Sequence, residues 1–171
     1  MHSDNTRARA YPLQDSSAHS SRRDRPRLPP PPAGLRMVMK TLVLRVDYGG
    51  GTAYPDQHAA VAALYRFVLA AALPKPIVVD TGDGLEVYWP LGEELPVGRW
   101  RRSARALAAA CRRLGLAACH RVTVDARSLW RTPGTHNKAL SPPFLVRVID
   151  WGDGRDPRMS LEAAPIRHPW R

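Results

Sequence analysis

Val78-Val79-Asp80-Thr81-Gly82-Asp83-Gly84-Leu85-Glu86-Val87-Tyr88-Trp89 is the stretch that decides the fold of this chain. Two β-rich runs, Ile77 to Asp80 and Leu85 to Trp89, flank Thr81-Gly82-Asp83-Gly84, a turn sequence suited to a hairpin. Side chains alternate across a strand, so Glu86 and Tyr88 share one face of the second run while Leu85, Val87 and Trp89 share the other.

Upstream, Thr41 to Asp47 alternates in the same way, with Leu42, Leu44 and Val46 on one side and Arg45 and Asp47 on the other. Tyr48-Gly49-Gly50-Gly51 breaks that strand. Asp56 then offers an N-cap to a helix whose apolar stripe reads Val61, Leu64, Tyr65, Val68, Ala72 and which stops at Leu73-Pro74. Downstream of the hairpin a longer helix is expected from Val97 to Leu114. Its buried stripe is Trp100, Ala104, Leu107, Cys111 and Leu114, and Gly115 closes it. Arg121-Val122-Thr123-Val124-Asp125 reads as a further strand, followed by a short helix, a polar loop and a last strand from Phe144 to Ile149. This order predicts an α+β fold, a mixed α/β sheet with helices on one face.

Residues 39–150 carry that core. Residues 1–38, rich in Ser, Arg and Pro, with four of the chain's 17 prolines in one run, read as a disordered basic tail that cannot offset its chain entropy by burial. Met37 and Met39 stand as alternative starts directly before the first strand. Residues 151–171 read as an irregular C-terminal segment, mostly loop. The two cysteines, Cys111 and Cys119, make neither a disulfide framework nor a metal pair, so a cytoplasmic location is expected, with no membrane partner. A formal net charge of +11 points to a polyanionic partner, nucleic acid first, although arginine-rich faces are also common as plain solvated surface. Arg99, Arg101, Arg102, Arg105, Arg112 and Arg113 form a basic band on the second helix, outside its buried stripe.

Taken in order, the hairpin from Val78 to Trp89, then Val122-Thr123-Val124-Asp125, then Leu129-Trp130-Arg131-Thr132-Pro133-Gly134-Thr135-His136-Asn137-Lys138 resembles the core of archaeo-eukaryotic-type primase-polymerases found in phage and plasmid replication proteins. The resemblance runs from Leu42 to Ile149. It implies a primase-polymerase-like fold and template-directed nucleotidyl transfer on single-stranded or primed DNA from nucleoside triphosphates, often beside a replicative helicase. It also implies Mg²⁺ or Mn²⁺ held by acidic residues, since hard cations take oxygen ligands. Carried over by position, the catalytic and metal-binding acids are Asp47 and Asp125, with Glu86 as a third candidate; Arg131, Arg45, Lys138 and His136 are the nucleotide- or phosphate-binding candidates.

Two positions depart from the pattern. Arg45 stands where the family has the first carboxylate of a strand-borne pair, and Glu86 stands where it has a histidine. Three readings follow: a degenerate site closed by an Arg45–Glu86 ion pair, a rearranged one in which Glu86 supplies the missing carboxylate and Arg45 binds phosphate, or a register misread by one motif. The functional alternatives to an active nucleotidyltransferase are a non-catalytic nucleic-acid-binding module of a replication complex, or a degenerate gene fragment.

Overall fold

Apolar alternation organises the molecule around a sheet whose inner side chains are Leu42, Leu44, Val46, Val78, Leu85, Val87 and Trp89, all buried in one cluster. The computed structural model describes Pro29 and residues 37–163. Strand β1 spans Val38–Asp47, helix α1 Gln57–Ala70, β2 Ile77–Asp80, β3 Gly84–Pro96, α2 Val97–Arg113 and α3 His120–Thr123. The short strands β4 His136–Asn137, β5 Phe144–Leu145 and β6 Arg147–Asp150 follow, then α4 Arg158–Ala163. The main sheet has the order β1-β3-β2-β6, and β4 and β5 form a separate ribbon. The fold is α+β as expected, but each pairing is antiparallel, so the sheet is not mixed.

The hairpin forms as read, with Val78 opposite Val87 and Asp80 opposite Leu85. β3 continues well past Trp89, and its far end pairs Leu95 with Met39 and Pro96 with Val38. That pairing draws the first strand back to Val38, so the boundary of the tail expected over residues 1–38 falls earlier. Apart from Pro29, Met37 and Val38, that tail lies outside the described residues, as do residues 164–171.

α1 is capped by Asp56, whose carboxylate accepts from Ala59 N–H at 2.8 Å. It buries Ala60, Ala63, Leu64, Phe67 and Val68. Of the expected stripe only Leu64 and Val68 are fully buried, because the helix is rotated to bring Phe67 inward; Ala72 lies beyond its end and is exposed. α2 buries Trp100, Ala104, Leu107 and Cys111 as expected, whereas Leu114 sits past the last turn and is exposed. Burial pushes the Cys111 thiol up to about 12, which leaves it an inert packing group.

Arg121 to Asp125 is not a strand. Val122 and Thr123 are consecutive and both buried, which a strand facing one core cannot accommodate, and the chain instead makes the single turn α3. Cys119 N–H docks on the Arg45 carbonyl at 2.8 Å, and the Thr123 hydroxyl donates back to the Cys119 carbonyl at 3.1 Å. Turns replace the short helix expected after Asp125. The last strand breaks at Val146 into β5 and β6, since Val146 exchanges hydrogen bonds with Gly134 and Thr135. In the C-terminal segment residues 151–157 are irregular and α4 follows, with Arg158 bridging to Asp156 at 2.7 Å and to Glu93 at 2.8 Å. Among the described residues no helix is long and apolar enough to cross a membrane.

α1 and α2 pack on one face of the sheet, as expected, while α3 and the chain after it cover part of the other. Both long helices end in the same way. After α2, Leu116 N–H bonds the Cys111 carbonyl at 2.9 Å and Gly115 turns left-handed at φ +74°. After α1, Leu73 N–H bonds the Val68 carbonyl at 2.9 Å, yet the left-handed residue is Ala72 at φ +50°. A Cβ is strained there, and glycine is not. Ala72→Gly is therefore expected to stabilise the protein by about 1 kcal/mol, read as a higher urea midpoint with unchanged slope.

Candidate functional site

Strand register brings the two departing positions face to face: Arg45 on β1 is the direct partner of Glu86 on β3. Both are buried, Arg45 at 3% and Glu86 at 0% exposure, on the sheet face opposite α1 and α2. A charge cannot remain there unless it is paired and hydrogen-bonded. The Arg45 fork meets that demand at each nitrogen. Nε donates to Asp47 at 2.5 Å, Nη1 to Glu86 at 3.4 Å and to the Thr81 hydroxyl at 3.3 Å, and Nη2 to the Asp83 carboxylate at 3.0 Å. Gly84 makes room for it, because a Cβ there would stand 2.9 Å from Nη2.

Glu86 is held equally firmly. Its second oxygen accepts from the Tyr88 hydroxyl at 2.8 Å and from Arg131 N–H at 3.0 Å. Asp83 accepts from the Thr81 hydroxyl at 2.7 Å, and the Asn137 amide, itself buried, reaches the Thr81 carbonyl at 2.8 Å. Burial alone would raise the Asp83 carboxyl, but the Arg45 charge and the Thr81 hydrogen bond outweigh it and hold it below the ordinary value. Burial also works against the Arg45 charge, and Asp47 and Asp83 reverse that, so its guanidinium is bound more firmly to its proton than a free one.

Beside this centre lies a second buried acid, Asp80. It accepts from the Tyr48 hydroxyl at 2.5 Å, from Gln57 at 2.8 Å and from Gly82 N–H at 2.9 Å. Burial and the neighbouring Asp80 push the Tyr48 hydroxyl well above the ordinary phenol range. Nothing in the local sequence pattern marks Asp80 as buried. Thr81, Asp83 and Asn137 do lie inside the quoted hairpin and loop motifs, where their turn chemistry conceals their place in the ion-pair network.

The sequence candidates are only partly brought together. Asp47, Glu86, Arg45 and Arg131 converge, the Arg131 charge being close enough to lower Asp83. Asp125 does not join them. Because its segment is a turn and not a strand, its carboxylate accepts from Arg127 N–H at 3.0 Å and lines a cavity against Thr41 and Val43 on β1. His136 and Lys138 are exposed on either side of the buried Asn137.

The acids therefore do not fit a divalent ion. Among the described residues no three His, Cys, Asp or Glu side chains are grouped so as to hold one. Arg45 lies between Asp47 and Glu86 and uses an oxygen of each. Two unit charges about 4 Å apart interact by about 4 kcal/mol at an effective dielectric near 20, and a divalent ion would feel twice that repulsion. Of the two arrangements expected for Arg45 and Glu86, the geometry is the ion-paired one: Asp47 and Glu86 are engaged by Arg45, and Asp125 accepts from Arg127 N–H.

The cavity that Asp125 lines has a volume of about 320 Å³. Its walls include Val43 and Tyr88 of the sheet, Trp100 of α2, Val122 of α3, and Trp130. Tyr88 and Trp130 meet edge to face, with centroids 5.8 Å apart. Comparisons of the chain with protein-family models, curated proteins and solved structures found no match.

Two stability measurements test the ion-pair centre. Arg45→Ala leaves Glu86, Asp83 and Asp47 without their counter-ion and is expected to cost about 3–5 kcal/mol, and the double variant Arg45→Met, Glu86→Leu should recover only part of it, because Asp47 and Asp83 still lack the cation and the Tyr88 hydroxyl and Arg131 N–H lose their acceptor. The lowered Asp83 carboxyl gives the second. Its contribution is complete above the ordinary carboxylate range, where folded and unfolded chains are both ionised, and disappears as the pH falls through the lowered folded value. Asp83→Asn should therefore be less stable than the parent near neutrality, and the two urea midpoints should converge in acid.

Proposed function

We propose that this chain is a primase-polymerase-like domain that does not carry out nucleotidyl transfer and acts as a nucleic-acid-binding module of a replication complex. The resemblance of the ordered motifs supports the replication setting. The engagement of Asp47, Asp83 and Glu86 by Arg45 argues against a catalytic metal centre. The reading is carried by the arginine face of α2.

Arg99, Arg101, Arg102, Arg105, Arg112 and Arg113 are all exposed. Among the described residues none of them forms an ion pair. Arg112 and Arg113 lie in the last turn, where a cation is favoured by the helix dipole, so their presence has a plain structural reason. Arg99 does not share it. It lies in the first turn, where a positive charge opposes the dipole, and its charge is close enough to Glu93 to help lower that carboxyl. A face that keeps exposed cations from one end of the helix to the other, with no ion pair among the described residues, suits a phosphate backbone.

Single-stranded DNA and nucleoside triphosphates are the ligands to test, with Mg²⁺ and with Mn²⁺. On a primed template the protein is expected to incorporate no nucleotide with either ion, while binding single-stranded DNA with an affinity that falls steeply with salt. Replacing Arg101 and Arg105, one helical turn apart, by alanine should weaken binding and lower the salt slope by roughly 0.7 for each phosphate that is no longer neutralised. Metal-dependent incorporation that disappears in both Asp47→Ala and Asp125→Ala would reverse the reading in favour of catalysis.

A further inference from the structure

We infer that α2 is a groove-binding helix for double-stranded DNA, its two rows of arginines each neutralising one of the two backbones that wall the major groove; this rests on the binding role proposed above and specifies its partner.

The rows follow from helix geometry. At 3.6 residues per turn, Arg101, Arg105 and Arg112 fall within about 40° of one another around the axis, and Arg102 and Arg113 within about 20°. The centres of the two rows are about 90° apart, with the exposed Ala109 between them. Each row runs about 16 Å along the axis. A single strand presents one line of phosphates and leaves one row without a partner, whereas a duplex presents two lines, one on each side of a groove.

The elements beside α2 leave this ridge clear. α3 packs next to the first row, where the Arg112 charge reaches His120, and Arg121 beside it is exposed. α4 packs against α2 as well, and there Arg99 stands near Glu93, the acid that Arg158 of α4 holds at 2.8 Å. Past Gly98, every exposed residue of α2 is an arginine except Ala109.

That surface is unlike a single-strand platform, which combines a basic groove with rings on which bases stack. α2 offers a convex ridge, and its one aromatic residue, Trp100, is turned into the core at 1% exposure. A helix about 10–12 Å across with its side chains matches the major groove of B-DNA, about 12 Å wide. The minor groove, about 6 Å wide, does not admit it, and the major groove of duplex RNA is deep and narrow. Phosphate contacts of this kind position the helix on the duplex without reading its sequence.

The test is titration by fluorescence anisotropy, at several salt concentrations, of the full chain against three labelled probes of one length and sequence: duplex DNA, its single strand and duplex RNA. Duplex DNA is expected to bind roughly tenfold tighter than either of the others. Arg101→Ala with Arg105→Ala and Arg112→Ala removes one row, and Arg102→Ala with Arg113→Ala removes the other. Each set should weaken duplex binding and lower its salt slope by roughly 0.9 for each phosphate no longer neutralised. All five side chains are exposed, so the urea midpoints should stay near that of the parent, which separates lost contacts from a lost fold. Single-strand or RNA affinity equal to that for duplex DNA, or full duplex affinity after either row is removed, overturns the groove-binding helix. Salt-dependent single-strand binding that still requires Arg101 and Arg105 would then leave the binding role intact. Absence of binding to all three probes overturns both.

Discussion

A guanidinium buried to 3% exposure is the constraint around which half of this molecule is arranged. Arg45 cannot shed its charge, so the fold has to surround it with acceptors. Asp47 comes from the same strand, Glu86 from the neighbouring strand, and Asp83 and Thr81 from the hairpin turn. Gly84 is small so that the fork can pass. The turn that looks like a simple connection between β2 and β3 is therefore also one wall of the charge centre. Its conformation is fixed from outside by the Asn137 amide on the Thr81 carbonyl.

That arrangement separates the two faces of the sheet by chemistry. The face under α1 and α2 is an ordinary apolar core, closed by Leu64, Phe67, Trp89, Trp100 and Leu107. The opposite face carries Arg45 and Glu86 and is covered by α3 and the chain through Arg131, held by backbone bonds such as Cys119 N–H to Arg45 and Arg131 N–H to Glu86. Covering that face with turns and one short helix leaves a cavity where a long helix would have filled the space. The same irregularity that hides Asp125 from the charge centre thus creates a concavity with aromatic walls and a carboxylate on this face.

Local pattern makes the regular part of the fold legible, and long-range pairing makes the rest obscure. The hairpin, the Asp56 cap and the Trp100–Cys111 stripe can be read from alternation and spacing, because each depends on near neighbours, whereas the pairing of Arg45 with Glu86 is an expectation of the resemblance. Phe67 is hard to single out because its neighbours make an equally good stripe one step around the helix. Val122-Thr123-Val124 has the composition of a strand, but its place beside β1 is set by the Cys119 hydrogen bond, and tertiary packing overrides β-branched preference. Asp80 shows the same limit for the site: its burial follows from Tyr48, Gln57 and the sheet end meeting around it, and no motif encodes that meeting.

The two unusual positions make sense only together. With Arg45 present and no acid at position 86, the deepest arm of the guanidinium would keep only the Thr81 hydroxyl. With Glu86 present and an acid at position 45, two buried carboxylates would face each other beside Asp47 and Asp83, a group that ionises fully only around a cation. A metal site and the present ion pair are thus two ways of neutralising the same cluster of acids, one with an exchangeable ion and one with a covalently tethered charge. The tethered charge engages one oxygen each of Asp47, Asp83 and Glu86, and the other Glu86 oxygen holds Tyr88 and the Arg131 backbone in one geometry. The carboxylate that answers the buried charge of Arg45 is thus the same one that anchors the Tyr88 hydroxyl and the Arg131 backbone beside the aromatic pair of Tyr88 and Trp130.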